Sequence, residues 1–440
     1  MFLKIKRFIN LAILELCCFL IIITCYLKQA KIAAYIIMLS LRKNKKIQYK
    51  KVRKTFIVLE KSYGIDDLNQ SFNNHRSEIL FLILQRKLIR VIFNYFLKDH
   101  LNEINETNYL SDKNLINKKK IEYRYFLNDI IKELKNLISL DGFISFNLFY
   151  LSERELQISS INNDLEFLVC HKENVSSNWL NIIRPNVWKY KMGKVYATKV
   201  SVYSKYTKKA LIKSEVIEPS KIVITGMPRS DIYFNKKITC SKKYILFLMI
   251  ENTAQLPYFN NQWITNGIKK KIKPFKWNLT ENLTFETMVK FAKLNKKTEI
   301  IFKTKPNTSI NFAKKIKKLN LKNCRIVEGG GSIDLIKDSK IVVAFNTTGI
   351  LEALILKKPI IVPNFEYSKI KKNFMLDFDQ FVHRPKNIKQ MLKILNNLNT
   401  NKNIYKFRNI KKLNKTLKEH IHNTDGTSGK KLRKFIQSSI

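Results

Sequence analysis

The chain has 440 residues and is short of glycine (11) and proline (9). That scarcity argues against long disordered linkers, which draw on those residues. Acidic residues are few as well: 34 Asp and Glu stand against 82 Lys and Arg, a formal charge of +48. The excess is spread among many Asn and Ile and looks partly like coding bias. It still favours anionic membrane surfaces, nucleic acid or phosphorylated ligands. The six cysteines, Cys17, Cys18, Cys25, Cys170, Cys240 and Cys324, contain no CxxC pair. The six histidines show no HExxH spacing. Neither a zinc site nor a disulfide framework is supported, and a reducing, cytoplasmic setting is the simplest inference. There is no RRM, KH or zinc-finger signature and no regular interleaving of basic and aromatic residues, which argues against nucleic acid as a partner. No DxD pair stands at a strand end, so no metal is expected; Asp66-Asp67 is the nearest alternative and reads better as a solvated helix cap.

What is present is a long apolar alphabet. The chain is 45% hydrophobic, enough to bury real cores, and its length suits two domains with an appendage. Residues 8–26 are almost continuously apolar, flanked by Lys4, Lys6, Arg7 and then Lys28 and Lys31, with Asn10 and Glu15 interrupting. A membrane span takes roughly 20 apolar residues, so the segment is just long enough. Glu15 near its middle is costly in a bilayer core, and no small-residue cleavage site follows. A second apolar patch at 32–41 precedes Arg42-Lys43-Asn44-Lys45-Lys46. Residues 1–50 are therefore expected to be a membrane-associating helical segment. A true span and a core helix pair packed on the next domain are the alternatives. If the segment spans, the basic cluster that follows keeps the bulk of the chain in the cytoplasm; the expected location is the cytoplasmic face of the plasma membrane, peripheral or on a single anchor.

From residue 51 the pattern alternates between short apolar strands and amphipathic helices. Strands are expected at 55–59, 79–84, 142–149, 167–170, 200–203 and 221–225, with helices at 88–97, 118–138, 153–162 and 205–214. Residues 60–67, with one glycine, read as a polar turn. A polar, basic stretch at 234–243 reads as a linker. A second series follows, with strands at 244–250, 299–303, 325–327 and 341–345 and helices at 285–294, 333–337 and 388–397. The expected class is α/β with two Rossmann-like domains, at 51–235 and 236–403. A basic helix over 404–440 is expected to pack back toward the first domain. Ligands of such sheets bind at the carboxyl ends of strands.

The segment Ile341–Pro363 reads as strand, tight polar turn, helix, strand. Asn346, Thr347, Thr348 and Gly349 fall where a helix must begin. Hydroxyl and amide side chains cap free N–H groups there, and a small residue lets another group approach closely. Free donors and the positive end of the helix dipole suit a diphosphate. Glu352, one turn in, can reach a ribose hydroxyl. Read conservatively, the same residues make an ordinary capped helix.

Val223-Ile224-Thr225-Gly226-Met227-Pro228-Arg229-Ser230-Asp231 resembles the "tG.PR.D" signature of the CDP-glycerol glycerophosphotransferase-like group. Three further segments are similar to motifs of that group: the strand–turn–helix above, Ile301-Phe302-Lys303-Thr304-Lys305-Pro306, and Asn423-Thr424-Asp425-Gly426-Thr427-Ser428-Gly429. Together they cover roughly residues 165–430 in the expected order. The resemblance implies the GT-B architecture of glycosyltransferases and a role in surface-carbohydrate assembly. It implies a nucleotide-activated donor as substrate and no separate cofactor. It also implies Glu352 on the ribose and a donor site that includes Gly226, Lys305, Asn346, Thr347, Thr348 and Gly349. Lys305 and Arg229 add positive charge as the nucleotide leaves; Arg229 pairing with Asp231 is the structural alternative. The group often has an acidic residue or paired serines where this chain has Asn346-Thr347-Thr348, so a nucleotide sugar and a CDP-glycerol-type donor both stand. The acceptor is expected to be a glycan or a lipid-linked molecule at an anionic membrane surface.

An acceptor hydroxyl needs a base. His171 ends a strand of the first domain and titrates near neutrality, with Glu173 placed to orient it. Glu60 is the next candidate, and His383, ahead of Arg384-Pro385, is expected to line the donor side. A nucleotide-sugar 2-epimerase of similar fold, a basic nucleic-acid-binding protein and an inactive scaffold remain as competing readings.

Overall fold

A computed structural model of the chain describes residues 2–101, 103–104, 109–110, 113–172, 178–235, 243–249, 258–259, 262–263, 277–304, 310–345, 347–363, 365, 378, 380–400 and 409–439. They fall into two compact units. The first comprises Met1–Asn174, Arg184–Arg229 and Thr427–Ile440; the second comprises Val175–Ile183 and Ser230–Gly426.

The first unit is built on a seven-stranded sheet. Its strands are β1 (Arg42–Lys43), β2 (Tyr49–Leu59), β3 (Ser77–Leu84), β4 (Gly142–Ser145), β5 (Glu166–His171), β6 (Lys199–Val202) and β7 (Ile222–Ile224), in the spatial order β1-β3-β2-β4-β5-β6-β7. β1 is antiparallel to β3 and every other pairing is parallel. Runs such as Phe56-Ile57-Val58-Leu59 are buried on both sides, as parallel strands covered by helices must be. The helices are α1 (Phe2–Tyr26), α2 (Ala30–Ser40), α3 (Ser62–Ser71), α4 (Arg86–Leu97), α5 (Asn114–Ile138) and α6 (Leu151–Ile161). α7 (Asn178–Val187), whose residues up to Ile183 are counted with the second unit, and α8 (Lys205–Ser214) follow.

The polar turn expected at 60–67 is instead the start of α3. Gly64 signalled a turn, but it lies inside the helix because a Cβ there would sit 2.1 Å from Cγ of Phe146. The glycine makes room for an aromatic ring. The strand expected over 142–149 ends at Ser145, and the chain turns into α6 at Leu151. α1 and α2 pack on each other; α1 also packs on α4, and α2 on α5. Cys18, Ile21 and Cys25 are buried on that side of α1. Phe8, Leu11, Leu16, Phe19 and Tyr26 are all more than half exposed.

The second unit begins with a short helix, α9 (Asp231–Asn235). It carries a five-stranded, all-parallel sheet ordered β12-β11-β8-β13-β14. The members are β8 (Tyr244–Met249), β11 (Glu299–Thr304), β12 (Cys324–Glu328), β13 (Ser339–Ala344) and β14 (Ile360–Ile361). β9 (Tyr258–Phe259) and β10 (Gln262–Trp263) make a separate antiparallel pair. Phe247 of β8 is in register with Phe302 on one side and Val343 on the other. One face of this sheet packs under α10 (Trp277–Leu294) and α14 (Ile388–Thr400) through Phe285, Met288, Phe291, Met391 and Leu395. The remaining helices are α11 (Ile310–Leu319), α12 (Ile333–Asp338) and α13 (Thr348–Ile355).

The basic tail, expected as one helix, is two. α15 (Ile410–Ile421) packs on α13 in the second unit. α16 (Ser428–Gln437) packs on α3, with Leu432, Phe435 and Ile436 joining the core of the first unit. Both units are Rossmann-like, and the fold is GT-B-like, as the sequence resemblance implied.

Candidate functional site

In the five-stranded sheet of the second unit the strands all point one way, so Glu328, Thr304, Met249, Ala344 and Ile361 end on one edge. β13 delivers the chain to Thr347, which is extended (φ −145°, ψ 156°) and caps α13: its hydroxyl accepts from the N–H of Gly349 at 3.3 Å. Thr347 and Gly349 are buried, whereas Thr348, the first residue of the helix, is half-buried. Of the donor-turn residues described, Thr348 is therefore the one that opens to a ligand. The close approach foreseen at Gly349 is real, but the approaching group is protein. A Cβ there would lie 2.6 Å from Cδ1 of Leu248 on β8. Asn346 and Lys305 lie outside the described residues.

Glu352 is neither a surface residue nor open to solvent. It is fully buried and accepts a hydrogen bond from the hydroxyl of Ser332 at 3.0 Å. Ser332 closes a glycine-rich turn after β12, in which Gly329 and Gly330 both have positive φ (65° and 72°). A Cβ on Gly330 would meet nothing within 4 Å, so its backbone borders open space. Positive φ is the conformation glycine adopts without strain. The turn is tied down by Lys303 of β11, whose ammonium donates to the carbonyls of Thr304 (3.1 Å) and Gly329 (2.5 Å). Burial pulls the Lys303 pKa below the usual lysine value. The sequence reading passed over this turn. The signal was three consecutive glycines in a chain that has 11. His383 lies beside β14: its N–H donates to the carbonyl of Ile360, its carbonyl accepts from Val362, and burial lowers its pKa.

In the first unit the carboxyl edge carries the "tG.PR.D" segment. Gly226 has φ 83°, which accounts for the glycine. Arg229 reaches into the unit and meets Asp67 of α3. Its backbone N–H donates to Oδ1 at 3.0 Å and its guanidinium to Oδ2 at 3.1 Å. The guanidinium also donates to the Tyr203 hydroxyl at 2.7 Å, and that hydroxyl donates to Asp67. All three side chains are buried. Asp67 is thus not a solvated cap, and its carboxylate is a partner of Arg229. Burial, with the Arg229 charge opposing it, holds the Tyr203 phenol well above its ordinary pKa.

His171 ends β5 and is 2% exposed. Its Nδ1 accepts from the backbone N–H of Leu148 at 3.4 Å, and its ring stands edge-on to Phe149. A neutral imidazole has one accepting nitrogen, and here it faces the main chain and not an incoming hydroxyl. Glu173 lies outside the described residues. Glu60 is half-buried and salt-bridged to Arg42 at 2.8 Å. The structure therefore gathers Thr347, Thr348, Gly349 and Glu352 at one helix and places Gly226 and Arg229 at one turn. His171, in the first unit, ends β5. No group of three or more His, Cys, Asp or Glu among the described residues is arranged to hold a metal ion.

No family model and no curated protein matches the chain. Solved structures do. The wall teichoic acid polymerase TagF, in a structure soaked with CDPG, superposes at a TM-score of 0.50 with 11% identity, covering 99% of this chain and 98% of that one. The likeness is one of fold. Further matches are a UDP-GlcNAc 2-epimerase of Methanocaldococcus jannaschii in complex with UDP-GlcNAc and UDP (TM-score 0.46, 14% identity, covering 88% of this chain and 100% of that one). A glycosyltransferase of Rickettsia africae ESF-5 also matches (TM-score 0.43, 14% identity, covering 88% and 98%).

Proposed function

We propose that this chain is a transferase that moves a glycosyl or glycerol-phosphate group from a nucleotide-activated donor to a surface polysaccharide or lipid-linked acceptor. The observation that carries the reading is the start of α13. A threonine-capped helix opens at the carboxyl end of β13, with Thr348 half-buried at its first turn and an open glycine turn backed through Ser332 and Glu352. Such an end offers backbone N–H donors and a positive dipole to a diphosphate. A TagF-like fold, from a polymerase studied with CDPG, agrees with a nucleotide-linked donor.

In the reaction so read, the acceptor hydroxyl attacks the transferred carbon or phosphorus. The bond to the nucleotide breaks, and the charge developing on the leaving phosphate falls on the α13 N–H groups. Lys305 and Asn346 belong to the same segments and are proposed to share that charge. Glu352 holds the glycine turn through Ser332; in this reading the turn carries the ribose. His171 requires a ring movement to act as base, because its accepting nitrogen is engaged. The protein is proposed to work at the cytoplasmic face of the plasma membrane, held by α1. Residues Phe8–Tyr26 form an apolar helical stretch of 19 residues with mean hydropathy 2.5, 22% of it buried against the protein.

The test is a thermal-shift screen of the full chain in mild detergent against UDP, CDP, GDP and their sugar or glycerol derivatives. A ligand at a hundred times its Kd stabilises the folded state by about 2.7 kcal/mol. For a unit of this size that is a rise of roughly 5–10 °C. One nucleotide class should give that rise in the wild type and lose it in Thr348→Tyr. An unresponsive wild type that instead binds an oligonucleotide tightly and salt-sensitively overturns the reading.

A further inference from the structure

α1 and α2 expose a long apolar face. Along α1 it runs from Phe8 through Leu11, Leu16 and Phe19 to Tyr26, and α2 adds Ile32, Tyr35 and Leu39. At a helical rise of about 1.5 Å per residue, the 19 residues Phe8–Tyr26 cover about 28 Å. The opposite side of α1 carries Cys18, Ile21 and Cys25, which are buried. Neighbours on α4 give the direction of α1. Glu15 pairs with Lys87, the second residue of α4. Cys18 lies within electrostatic reach of Lys87 and Arg90, and Cys25 within reach of Tyr123, whose ring Phe93 and Phe96 of α4 contact. α1 therefore runs beside α4 in the same sense. α4 starts after β3, at the carboxyl edge of the sheet, so residues 8–13 of α1, each of them exposed, extend past that edge.

We infer that the α1–α2 face docks on an anionic lipid bilayer with α1 lying flat in one leaflet and not crossing it. The packing argues against a span. Crossing would either strip Cys18, Ile21 and Cys25 from their buried setting or carry Lys87 and Arg90 of α4 into hydrocarbon, where charge is costly. Lying flat, the helix keeps both ends of its apolar stretch at head-group level, where Lys4, Lys6 and Arg7 precede it and Lys28 and Lys31 follow. Charge selects the occupant. Lys28 and Lys31 are exposed and have no ion-pair partner among the described residues. Glu15 is the only acidic residue before Glu60, and Lys87 takes it. A second copy of this face would set lysines against lysines, whereas an anionic head-group layer complements them. This deepens the proposed attachment through α1 by naming its geometry and its lipid charge; its bearing on the acceptor rests on the transferase reading. Because residues 8–13 extend past the carboxyl edge, a leaflet along α1 passes beside that edge, where ligands of a parallel sheet bind. A lipid-borne acceptor then reaches the site without leaving the membrane.

The experiment reconstitutes the full chain from mild detergent into phosphatidylcholine vesicles with and without phosphatidylglycerol. Phe8→Trp, Leu16→Trp and Tyr26→Trp are made singly. Quenching beyond that of the four native tryptophans is read with lipids brominated near the head group or near the chain ends. A flat helix gives all three sites the same preference for the shallow bromines. A Leu16→Trp signal that prefers the deep bromines, between two shallow ends, makes α1 a span and overturns the inference. No added quenching and no flotation overturn it as well, and a dimer in detergent-free solution then assigns the face to a second copy. Lys28→Gln combined with Lys31→Gln should keep the wild-type melt and weaken binding to the phosphatidylglycerol vesicles roughly thirtyfold, the worth of two surface charges. Unchanged affinity in that variant overturns the anionic character of the partner. Nucleotide stabilisation that persists in the same variant separates failure of this face from failure of the donor reading.

Discussion

His420 gives the sharpest quantitative test of the second unit. It lies near the end of α15, 4% exposed, with its ring 4.8 Å from that of Phe378, and burial holds its pKa down to about 4 from 6.5. The folded state thus binds the proton less tightly than the unfolded chain. The group contributes nothing against folding above the unfolded value, and its stability is lost as pH falls from about 6.5 toward 4. One pKa unit is about 1.36 kcal/mol, so the full loss is about 3 kcal/mol, of which about 2 kcal/mol has gone by pH 5. The perturbation is His420→Leu, which fills the site without titrating. Carboxylates titrate in both proteins and cancel in the comparison. Because the chain has two units, the readout should be local: hydrogen exchange of α15 at pH 7.5 and pH 5, in wild type and variant. The wild type should lose about 2 kcal/mol more protection than His420→Leu between those pH values. His383, lowered by burial in the same direction, stays in both proteins and also cancels. Parallel losses in the two proteins would refute the burial argument.

Two further outcomes follow from buried charge and exposed apolar surface. Asp67→Asn removes the Asp67 charge from the buried Arg229 and should cost the first unit about 3–5 kcal/mol, read as lost exchange protection in α3 and β6; an unchanged profile would show that the remaining partners of the guanidinium suffice to hold it. Replacing Leu11, Leu16 and Phe19 together by Asn should leave the α1–α2 packing intact, since all three are more than half exposed, and should cut flotation with anionic vesicles at least tenfold; undiminished flotation would assign membrane binding to the diffuse basic charge instead.

The parallel sheets, the two-unit organisation and most helices were legible because apolar runs of strand length alternate with amphipathic stretches. The helix expected over 205–214 is α8, residue for residue. The site was legible only as a strand–turn–helix at the end of β13. Its surroundings were not, and the reason is common to each miss. Gly64, Asp67, Glu153 and Glu352 are residues whose usual settings are turns and solvent, and each is buried here by a partner far away in the sequence. Those partners are Phe146, Arg229, Arg86 and Ser332 respectively. Local pattern assigns a lone Asp or Glu to the surface, since burying an unpaired charge costs several kcal/mol. Only the fold reveals that the pairing group has been brought alongside. The same logic ranks the candidates for function. Arg229 and Glu352 are already satisfied inside their own units, so their first duty is to hold a turn. Thr348 stands at a strand end with surface still open, and this is the position where a ligand would change an energy that the fold has not already taken.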